Sequence, residues 1–238
     1  MSSMDRAAGT RDSSDAPRRG RIVALAVFLF FALIALAAGA VYLLRNNSLI
    51  KTFVVPSGAM LPTLKPNEII VADLRAYRKN VPEFGDIVVF HPPRAALQNA
   101  DVGSDIVFVS RCVGVPGDLI EVRNGVLVRN GRSVREPYVR HASGEETMLW
   151  DFKIVKVGRD FWPLLWGAGE LPNTSFKTAR AYQVTDESQA RAYAALPPER
   201  IPRGYILTMG DNREESFDGR MWGLVPGSNV LGKVKMNL

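Results

Sequence analysis

The sequence predicts a mostly β protein behind one N-terminal transmembrane helix. A run of 23 residues without a charged side chain, residues 22–44, predicts the helix. Beyond it, short segments rich in Val, Ile and Phe alternate with clusters of Gly, Pro, Asn and Asp, the pattern of strands joined by tight turns. Two Asn-Gly pairs within an alternating apolar and polar stretch predict that neighbouring strands pair antiparallel.

The apolar run at residues 22–44 is long enough to cross a hydrocarbon core, which needs about 20 helical residues. A cleaved signal peptide is the alternative, because Ala-Gly-Ala at residues 38–40 resembles a cleavage site. The apolar run continues past that site to Leu44 and is longer than the usual core of a signal peptide. We therefore expect an uncleaved anchor.

Basic residues predict the orientation of this anchor. Arg18, Arg19 and Arg21 precede the run, whereas Arg45 is the only basic residue close behind it. The positive-inside rule then places the N-terminus in the cytoplasm and the main domain on the extracytoplasmic side of the inner (plasma) membrane. Residues 1–21 contain almost no large apolar side chains, so we expect them to form a disordered cytoplasmic arm.

Composition limits the function classes. The 238 residues are 47% hydrophobic and 23% charged, which suits one anchored domain or two small ones. The net charge of +6 is dispersed, which argues against nucleic-acid binding and is ordinary for a surface near anionic lipid. The single Cys112 excludes an internal disulfide, and two separated histidines do not form a ligand set, so neither a metal nor another cofactor is expected.

Clusters of β-branched residues predict the strands of the main domain. Strands are expected at residues 68–72, 85–90, 105–109 and 204–210, with a meander around two Asn-Gly turns at 119–134. Residues 136–200 contain three tryptophans and several prolines and glycines, and are predicted to form a variable second lobe with a short helix around 186–195. The predicted β core therefore comprises residues 45–135 and 201–238.

One segment combines a rigid backbone with small polar groups. Residues 53–64 read F-V-V-P-S-G-A-M-L-P-T-L, in which Pro56 and Pro62 fix the backbone and Gly58 permits conformations closed to other residues. The hydroxyl of Ser57 lies among apolar neighbours. Such a segment suits a rigid loop that presents small polar groups to an apolar groove.

This segment resembles the first motif behind the anchor of bacterial signal peptidase I, a membrane-bound Ser-Lys endopeptidase that removes signal peptides; there the motif reads P-S-G-S-M-x-P-T-L. Residues 85–90 (G-D-I-V-V-F) resemble the family's core-strand motif. Residues 109–118 (V-S-R-C-V-G-V-P-G-D) resemble a block usually written K-R-x-V-G-x-P-G-D, and residues 209–226 resemble one containing G-D-N-R-x-x-S-x-D-S-R. Four motifs in the family's order identify the chain as a member, and the resemblance implies a signal-peptidase-like antiparallel β fold.

Two positions depart from the family pattern. The residue before Met60, where the family has its nucleophilic serine, is Ala59, and the residue before Arg111, where the family has its lysine base, is Ser110. A serine hydroxyl is a poor nucleophile until a base takes its proton. In the family that base is the lysine, because burial lowers its pKa and favours the neutral amine. A serine cannot act as that base near neutral pH. Loss of both members predicts a protein without the family's activity.

The resemblance implies roles for further residues. Ser57 matches a residue whose hydroxyl helps to stabilise an oxyanion. The pockets for small side chains of a signal peptide are matched by Phe53, Val55, Leu64 and Val109, with simple core packing as the alternative for these four. Positions that brace the site are matched by Arg111, Asp211, Ser216, Asp218 and Arg220, of which Ser216 corresponds to the residue that orients the missing lysine.

Three functions remain open. The chain is predicted to be a pseudoenzyme that binds signal peptides of exported precursors, or an export or assembly protein, without cutting. It could alternatively be an active signal peptidase with Ser57 as nucleophile and a base from the set Lys153, Lys156, His91 and His141. The third function is a purely structural role in an export or surface-assembly complex. The large segment 136–200, which matches no family motif, is consistent with that role. The sequence has neither a G-x-S-x-G elbow nor a P-loop motif.

Overall fold

The computed structural model describes residues 16–46, 49–97, 106–139, 150–167 and 187–237. The predicted arm up to residue 15, the candidate base His141, and residues 140–149 and 168–186 of the predicted second lobe lie outside the described residues. The chain divides into two compact units, Met1–Ser48 and Leu49–Leu238.

The first unit contains the predicted helix. Helix α1 (Ala16–Asn46) includes the whole uncharged run. Its segment Val23–Tyr42 has a mean hydropathy of 2.7 and, by length and composition, can cross a membrane. Pro17 lies in the first turn, where its missing N–H breaks no intrahelical hydrogen bond. The expected N-terminal apolar helix is confirmed.

The second unit consists mainly of strands. Within the described residues the strands, in chain order, are β1 (Ile50–Val54), β2 (Ile69–Asp73), β3 (Ile87–Phe90), β4 (Phe108–Gly114), β5 (Ile120–Arg123), β6 (Val126–Arg129), β7 (Arg132–Ser133), β8 (Trp150–Val157), β9 (Asp160–Gly167), β10 (Tyr205–Met209), β11 (Val225–Pro226) and β12 (Val230–Asn237). Two short helices accompany them, α2 (Glu187–Ala195) and α3 (Gly219–Trp222).

The strands form two sheets, and every described pairing is antiparallel. The larger sheet has seven strands in the order β1-β2-β12-β3-β4-β10-β11, and the smaller has five in the order β7-β6-β5-β8-β9. The predicted class, mostly antiparallel β, is confirmed.

The two Asn-Gly pairs form the predicted turns of the meander. Asn124 and Gly125 join β5 to β6, and Asn130 and Gly131 join β6 to β7. All four residues have positive φ, between 49° and 77°. Positive φ at both central residues is the property of the type I′ turn that Asn-Gly favours.

Two elements differ from their predicted extents. β4 begins at Phe108 and continues to Gly114, so the motif that contains Ser110 and Arg111 lies inside a central strand rather than behind one. The hairpin of β8 and β9 pairs with β5, so this part of the predicted second lobe continues the sheet of the meander. The short helix predicted around residues 186–195 is present as α2.

One cluster of buried apolar side chains joins the two sheets. Its members come from β4, β5, β6, β8 and β10, together with Ile201. At Gly114 a Cβ atom would lie 2.4 Å from Cδ1 of Ile201 and 2.8 Å from Cγ1 of Ile120. Only glycine allows the strand to approach this cluster so closely.

A second cluster supports the segment at residues 53–64. Its buried members are Phe53, Val55, Met60, Leu64, Ile70, Ala72, Val89 and Val109. Because β1, β2, β3 and β4 all contribute to this cluster, it fixes the loop after β1 against the body of the larger sheet.

Candidate functional site

A cavity of about 250 Å³ lies between the loop after β1, the first residues of β4 and the loop after β10. Its lining residues are Val55, Pro56, Ser57, Ala59, Met60, Phe108, Val109, Ser110, Glu215 and Phe217. The cavity therefore brings together three positions that the sequence singles out, Ser57, Ala59 and Ser110, within mostly apolar walls.

The loop after β1 is ordered by its own short contacts. Ser57 has an extended backbone, and its Oγ accepts a hydrogen bond from the N–H of Ala59 at 3.4 Å. The residues Gly58–Met60 then form one 3₁₀ turn, closed by the N–H of Leu61 donating to the carbonyl of Gly58 at 3.0 Å. Met60 is 1% exposed and anchors the turn in the apolar cluster beneath it. These hydrogen bonds and the burial of Met60 hold in place the loop that the sequence predicts to be rigid.

Asn212 ties this loop to the loop after β10. Its backbone N–H donates to the carbonyl of Ala59 at 3.0 Å, and its Nδ2 donates to the carbonyl of Gly58 at 3.2 Å. The same Nδ2 donates to Oε2 of Glu215 at 3.0 Å, which holds that carboxylate at the cavity. Sequence reasoning missed both Asn212 and Glu215, because a contact between segments so far apart in the chain leaves no local pattern.

Gly210 and Ser216 lie against the carbonyl of Ala59. A Cβ atom at Gly210 would lie 2.5 Å from that oxygen and 2.1 Å from Oγ of Ser216, so the close approach requires glycine. Oγ of Ser216 is buried and has no hydrogen-bond partner among the described residues. The resemblance assigns Ser216 the task of orienting a lysine, and no described lysine lines the cavity.

Arg111 and Asp211 form a buried ion pair beside the site. Nε and Nη2 of Arg111 donate to the two carboxylate oxygens of Asp211 at 2.8 and 2.6 Å, and Nη1 donates to the carbonyl of Gly85 at 2.8 Å. The hydroxyl of Thr63 also donates to Asp211, at 2.5 Å. The guanidinium carbon of Arg111 lies 3.9 Å from the ring centroid of Tyr138, a cation–π contact. The pair joins β4 to the loop after β10, and Thr63 joins the loop after β1 to the same carboxylate.

Asp218 and Arg220 form a second buried pair. Nε and Nη2 of Arg220 each donate to Asp218 at 2.9 Å, and the N–H of Gly210 donates to the same carboxylate at 2.9 Å. Burial alone would raise the pKa of Asp218, but the charge of Arg220 and these hydrogen bonds hold the pKa below its usual value. Neither residue lines the cavity, so the pair braces the loop after β10.

A third ion pair was not predicted. Arg213 donates to the two carboxylate oxygens of Glu136 at 2.9 and 2.5 Å, and the hydroxyl of Tyr138 donates to Glu136 at 2.7 Å. Nη2 of Arg220 donates to the carbonyl of Arg213 at 2.7 Å, which links this pair to the second one. No sequence pattern indicates this pair, since Glu136 and Arg213 are 77 residues apart and the segment around Glu136 matches no motif.

The four residues assigned to substrate pockets all belong to the buried cluster beneath the cavity, and two of them also line the cavity. Val55 and Val109 line the cavity. Phe53 and Leu64 are not among its lining residues and are buried in the cluster beneath it. Core packing, the alternative considered for all four, therefore describes the positions of Phe53 and Leu64.

The described candidate bases are not at the cavity. Nζ of Lys153 donates to the carbonyls of Ala194 and Leu196 at 2.6 and 2.7 Å, at the C-terminal end of α2. Partial burial lowers the pKa of Lys153, against a raising contribution from Glu121. Neither His91, whose Nδ1 lies 3.1 Å from the carbonyl of Ile106, nor Lys156 lines the cavity. Among the described residues there is also no cluster of His, Cys, Asp and Glu that could hold a metal ion.

A protein-family model described as signal peptidase, peptidase S26, matches residues 24–238. This match includes nearly all of the chain, which therefore belongs to the signal peptidase family. The relationship inferred from four motifs is confirmed.

Individual relatives in this family are named as signal peptidases I. The chain is 29% identical over 179 residues to the probable signal peptidase I-1 of Synechocystis sp., a match that covers 75% of this chain but 65% of that protein, less than two thirds of its length. It is 29% identical over 203 residues to signal peptidase IB of Staphylococcus aureus, covering 85% of both. A signal peptidase I from Enterococcus faecalis, a solved structure, aligns with a TM-score of 0.38 and 23% identity over 65% of this chain and 97% of that one.

Proposed function

We propose that this protein is a non-catalytic member of the signal peptidase family that binds signal peptides of exported precursors. The observation that carries the proposal is that Ala59 and Ser110 line one cavity together with Ser57. The positions that the resemblance assigns to nucleophile and base thus meet at a single site, and neither side chain can perform its assigned step.

The chemistry of the cavity supports binding over cleavage. The methyl group of Ala59 offers no nucleophile, and Ser110, 5% exposed, offers no basic nitrogen. The lining residues within the described part of the chain include no lysine, histidine or cysteine. Loss of one member of a nucleophile–base pair typically lowers the rate by orders of magnitude, and here both are replaced.

The retained geometry supports a binding role. The cavity keeps its apolar walls, including Val55 and Val109, and its loops are held by the Arg111–Asp211 pair and by Asn212. Small apolar side chains of an extended peptide are the groups that such walls take up. An export or assembly protein that presents an extended segment with small apolar side chains would bind the same walls.

The N-terminal helix supports attachment to the inner (plasma) membrane. With Arg18, Arg19 and Arg21 before the apolar segment and Arg45 behind it, the N-terminus lies in the cytoplasm and the β unit outside it. This placement gives the cavity access to precursors that emerge from the export machinery.

An active enzyme is the second candidate, and one observation favours it. Ser57 is exposed and its hydroxyl lines the cavity, where it is the remaining candidate nucleophile of the predicted set. Glu215 is the only carboxylate among the lining residues that the structure describes, so it would have to act as the base.

The deciding experiment compares cleavage of a secretory precursor by the purified, detergent-solubilised protein and by its Ala59→Ser/Ser110→Lys variant, with peptide binding measured on both. The proposal expects binding without cleavage by the unaltered protein and cleavage by the double variant. Cleavage by the unaltered protein that is abolished by Ser57→Ala would replace the proposal with the active enzyme. Absence of both binding and cleavage in the two proteins would leave only a structural role.

A further inference from the structure

We propose that the cavity beside Ala59 takes up a primary ammonium group, the side chain of a lysine on the bound peptide. This inference rests on the peptide binding proposed above and specifies one side chain that the site prefers.

The charge of the cavity points to a cation. Among the described lining residues only Glu215 is charged, and Asn212 holds the carboxylate in place through Oε2. The arginines of the neighbouring loop and strand are paired elsewhere, Arg111 with Asp211 and Arg213 with Glu136. Among the described residues Glu215 has no ion pair, so the negative charge at the cavity is not neutralised by the protein itself.

A buried hydroxyl beside the carbonyl of Ala59, one of the lining residues, also lacks a partner. A Cβ atom at Gly210 would lie 2.1 Å from Oγ of Ser216 and 2.5 Å from the carbonyl oxygen of Ala59, so both oxygens lie close to Gly210. Oγ of Ser216 is buried and makes no hydrogen bond within the described chain. A buried polar group without a partner destabilises the folded protein, and a ligand with several N–H donors relieves that cost.

The size and lining of the cavity suit one long side chain. Its volume of about 250 Å³ lies below the range of about 300–1,000 Å³ found for sites of drug-sized ligands. Val55, Phe108 and Phe217 offer apolar surface for the methylene stem of a lysine, which packs against such surface while its charged end seeks polar partners.

The polar groups favour an ammonium over a guanidinium. Oε2 of Glu215 already accepts from Asn212, which leaves Oε1 as the free oxygen of that carboxylate. The hydroxyls of Ser57 and Ser110 are single acceptors on the same lining. Three rotatable donors on one nitrogen fit scattered single acceptors, whereas the rigid fork of arginine fits two oxygens of one carboxylate.

The test uses the full-length protein in detergent and short Ala-Leu peptides that carry either lysine or the neutral norleucine at successive positions. Calorimetry is expected to show that lysine at one position binds about three- to tenfold more tightly than norleucine. Glu215→Gln is expected to abolish this preference, and Glu214→Gln, which removes the same charge from the adjacent residue, is expected to retain it. Ser216→Ala is expected to weaken binding of the lysine peptide and leave the norleucine peptide unchanged.

Two results would overturn the ammonium site: equal affinities for the two peptides at every position, or a lysine preference that survives Glu215→Gln. Amide NMR with butylammonium, and with 1-butanol as its neutral match, separates this inference from the proposed function. If no peptide binds but butylammonium alone shifts the amides of Ala59 and Ser216, the ammonium site stands and peptide binding fails. If peptides bind without a lysine preference and butylammonium shifts nothing, peptide binding stands and the ammonium site fails.

Discussion

The backbone carbonyl of Ala59 accepts the N–H of Asn212 at 3.0 Å, so the loop after β1 and the loop after β10 are joined through main-chain atoms at the cavity itself. The side chain of Asn212 adds a second tie to the carbonyl of Gly58 and positions Glu215. Asn212 therefore holds the loop that forms one wall of the cavity and also positions the carboxylate of Glu215.

Asn212→Ala removes both side-chain hydrogen bonds and keeps the main-chain one. The free energy of unfolding is expected to fall by about 1–2 kcal/mol, since each lost hydrogen bond typically contributes about 0.5–1.5 kcal/mol. Peptide affinity should fall as well, because Glu215 loses its support. Urea denaturation with calorimetry measures both quantities. Asn80→Ala, an exposed asparagine on a distant turn, is the matched control, and an equal loss in that variant would contradict the role given to Asn212.

Arg111→Met leaves the carboxylate of Asp211 buried without its partner. The variant is expected to lose about 3–5 kcal/mol of stability, the usual effect of breaking a buried ion pair from one side. The double variant Arg111→Met/Asp211→Leu should recover much of that loss, because no charge then remains buried. Denaturant unfolding of the two single variants and the double variant forms a cycle. Additive losses in this cycle would show that the two residues are not coupled.

The ion pair of Asp218 predicts a loss of stability in acid. Its pKa in the folded protein lies below its ordinary value of 3.8, so its contribution is present at pH values above the unfolded pKa and is lost as the pH falls through the folded pKa. Asp218→Asn should be destabilised near neutral pH, since Arg220 is left buried without its partner, and should lose less stability in acid than the unaltered protein. Unfolding measured from about pH 7 to about pH 2 tests this, and parallel pH profiles would contradict it.

Ser216→Ala is expected to be neutral or slightly stabilising in the protein without ligand. Its hydroxyl is buried and has no partner in the described chain, so the substitution removes an unsatisfied group and no hydrogen bond. Thr63→Val is the contrasting variant, because the hydroxyl of Thr63 donates to Asp211, and it should cost about 1–3 kcal/mol. Thermal unfolding of both variants gives the comparison. A large loss in Ser216→Ala would mean that the hydroxyl has a partner in the folded protein.

Much of the fold was predictable because its signals are local. The uncharged run gives the helix, and each Asn-Gly pair gives a tight turn with positive φ whatever surrounds it. The residues of the Arg111–Asp211 and Asp218–Arg220 pairs all lie in segments that resemble family motifs. These features depend on few neighbours, which is why sequence patterns identify them.

The rest depends on contacts between distant segments. The hairpin of β8 and β9 contains Pro163 within a strand, which argues against a strand when the sequence is considered alone. Glu136 meets Arg213 across 77 residues of sequence, and Glu215 reaches the cavity because the loop after β10 is bonded to the loop after β1. The resemblance therefore predicts the positions of Ser57, Ala59 and Ser110 at one site. It does not predict the negative charge that Glu215 brings to the cavity.

Residue 59 takes part in the architecture through main-chain atoms alone. Its N–H donates to Ser57 and its carbonyl accepts from Asn212, and both groups are supplied by any amino acid other than proline. Alanine and serine codons can differ by a single nucleotide. A lineage can therefore lose or regain the hydroxyl at this position in one mutational step without remaking the loop, while reactivity still depends on a separate change that supplies a base at residue 110.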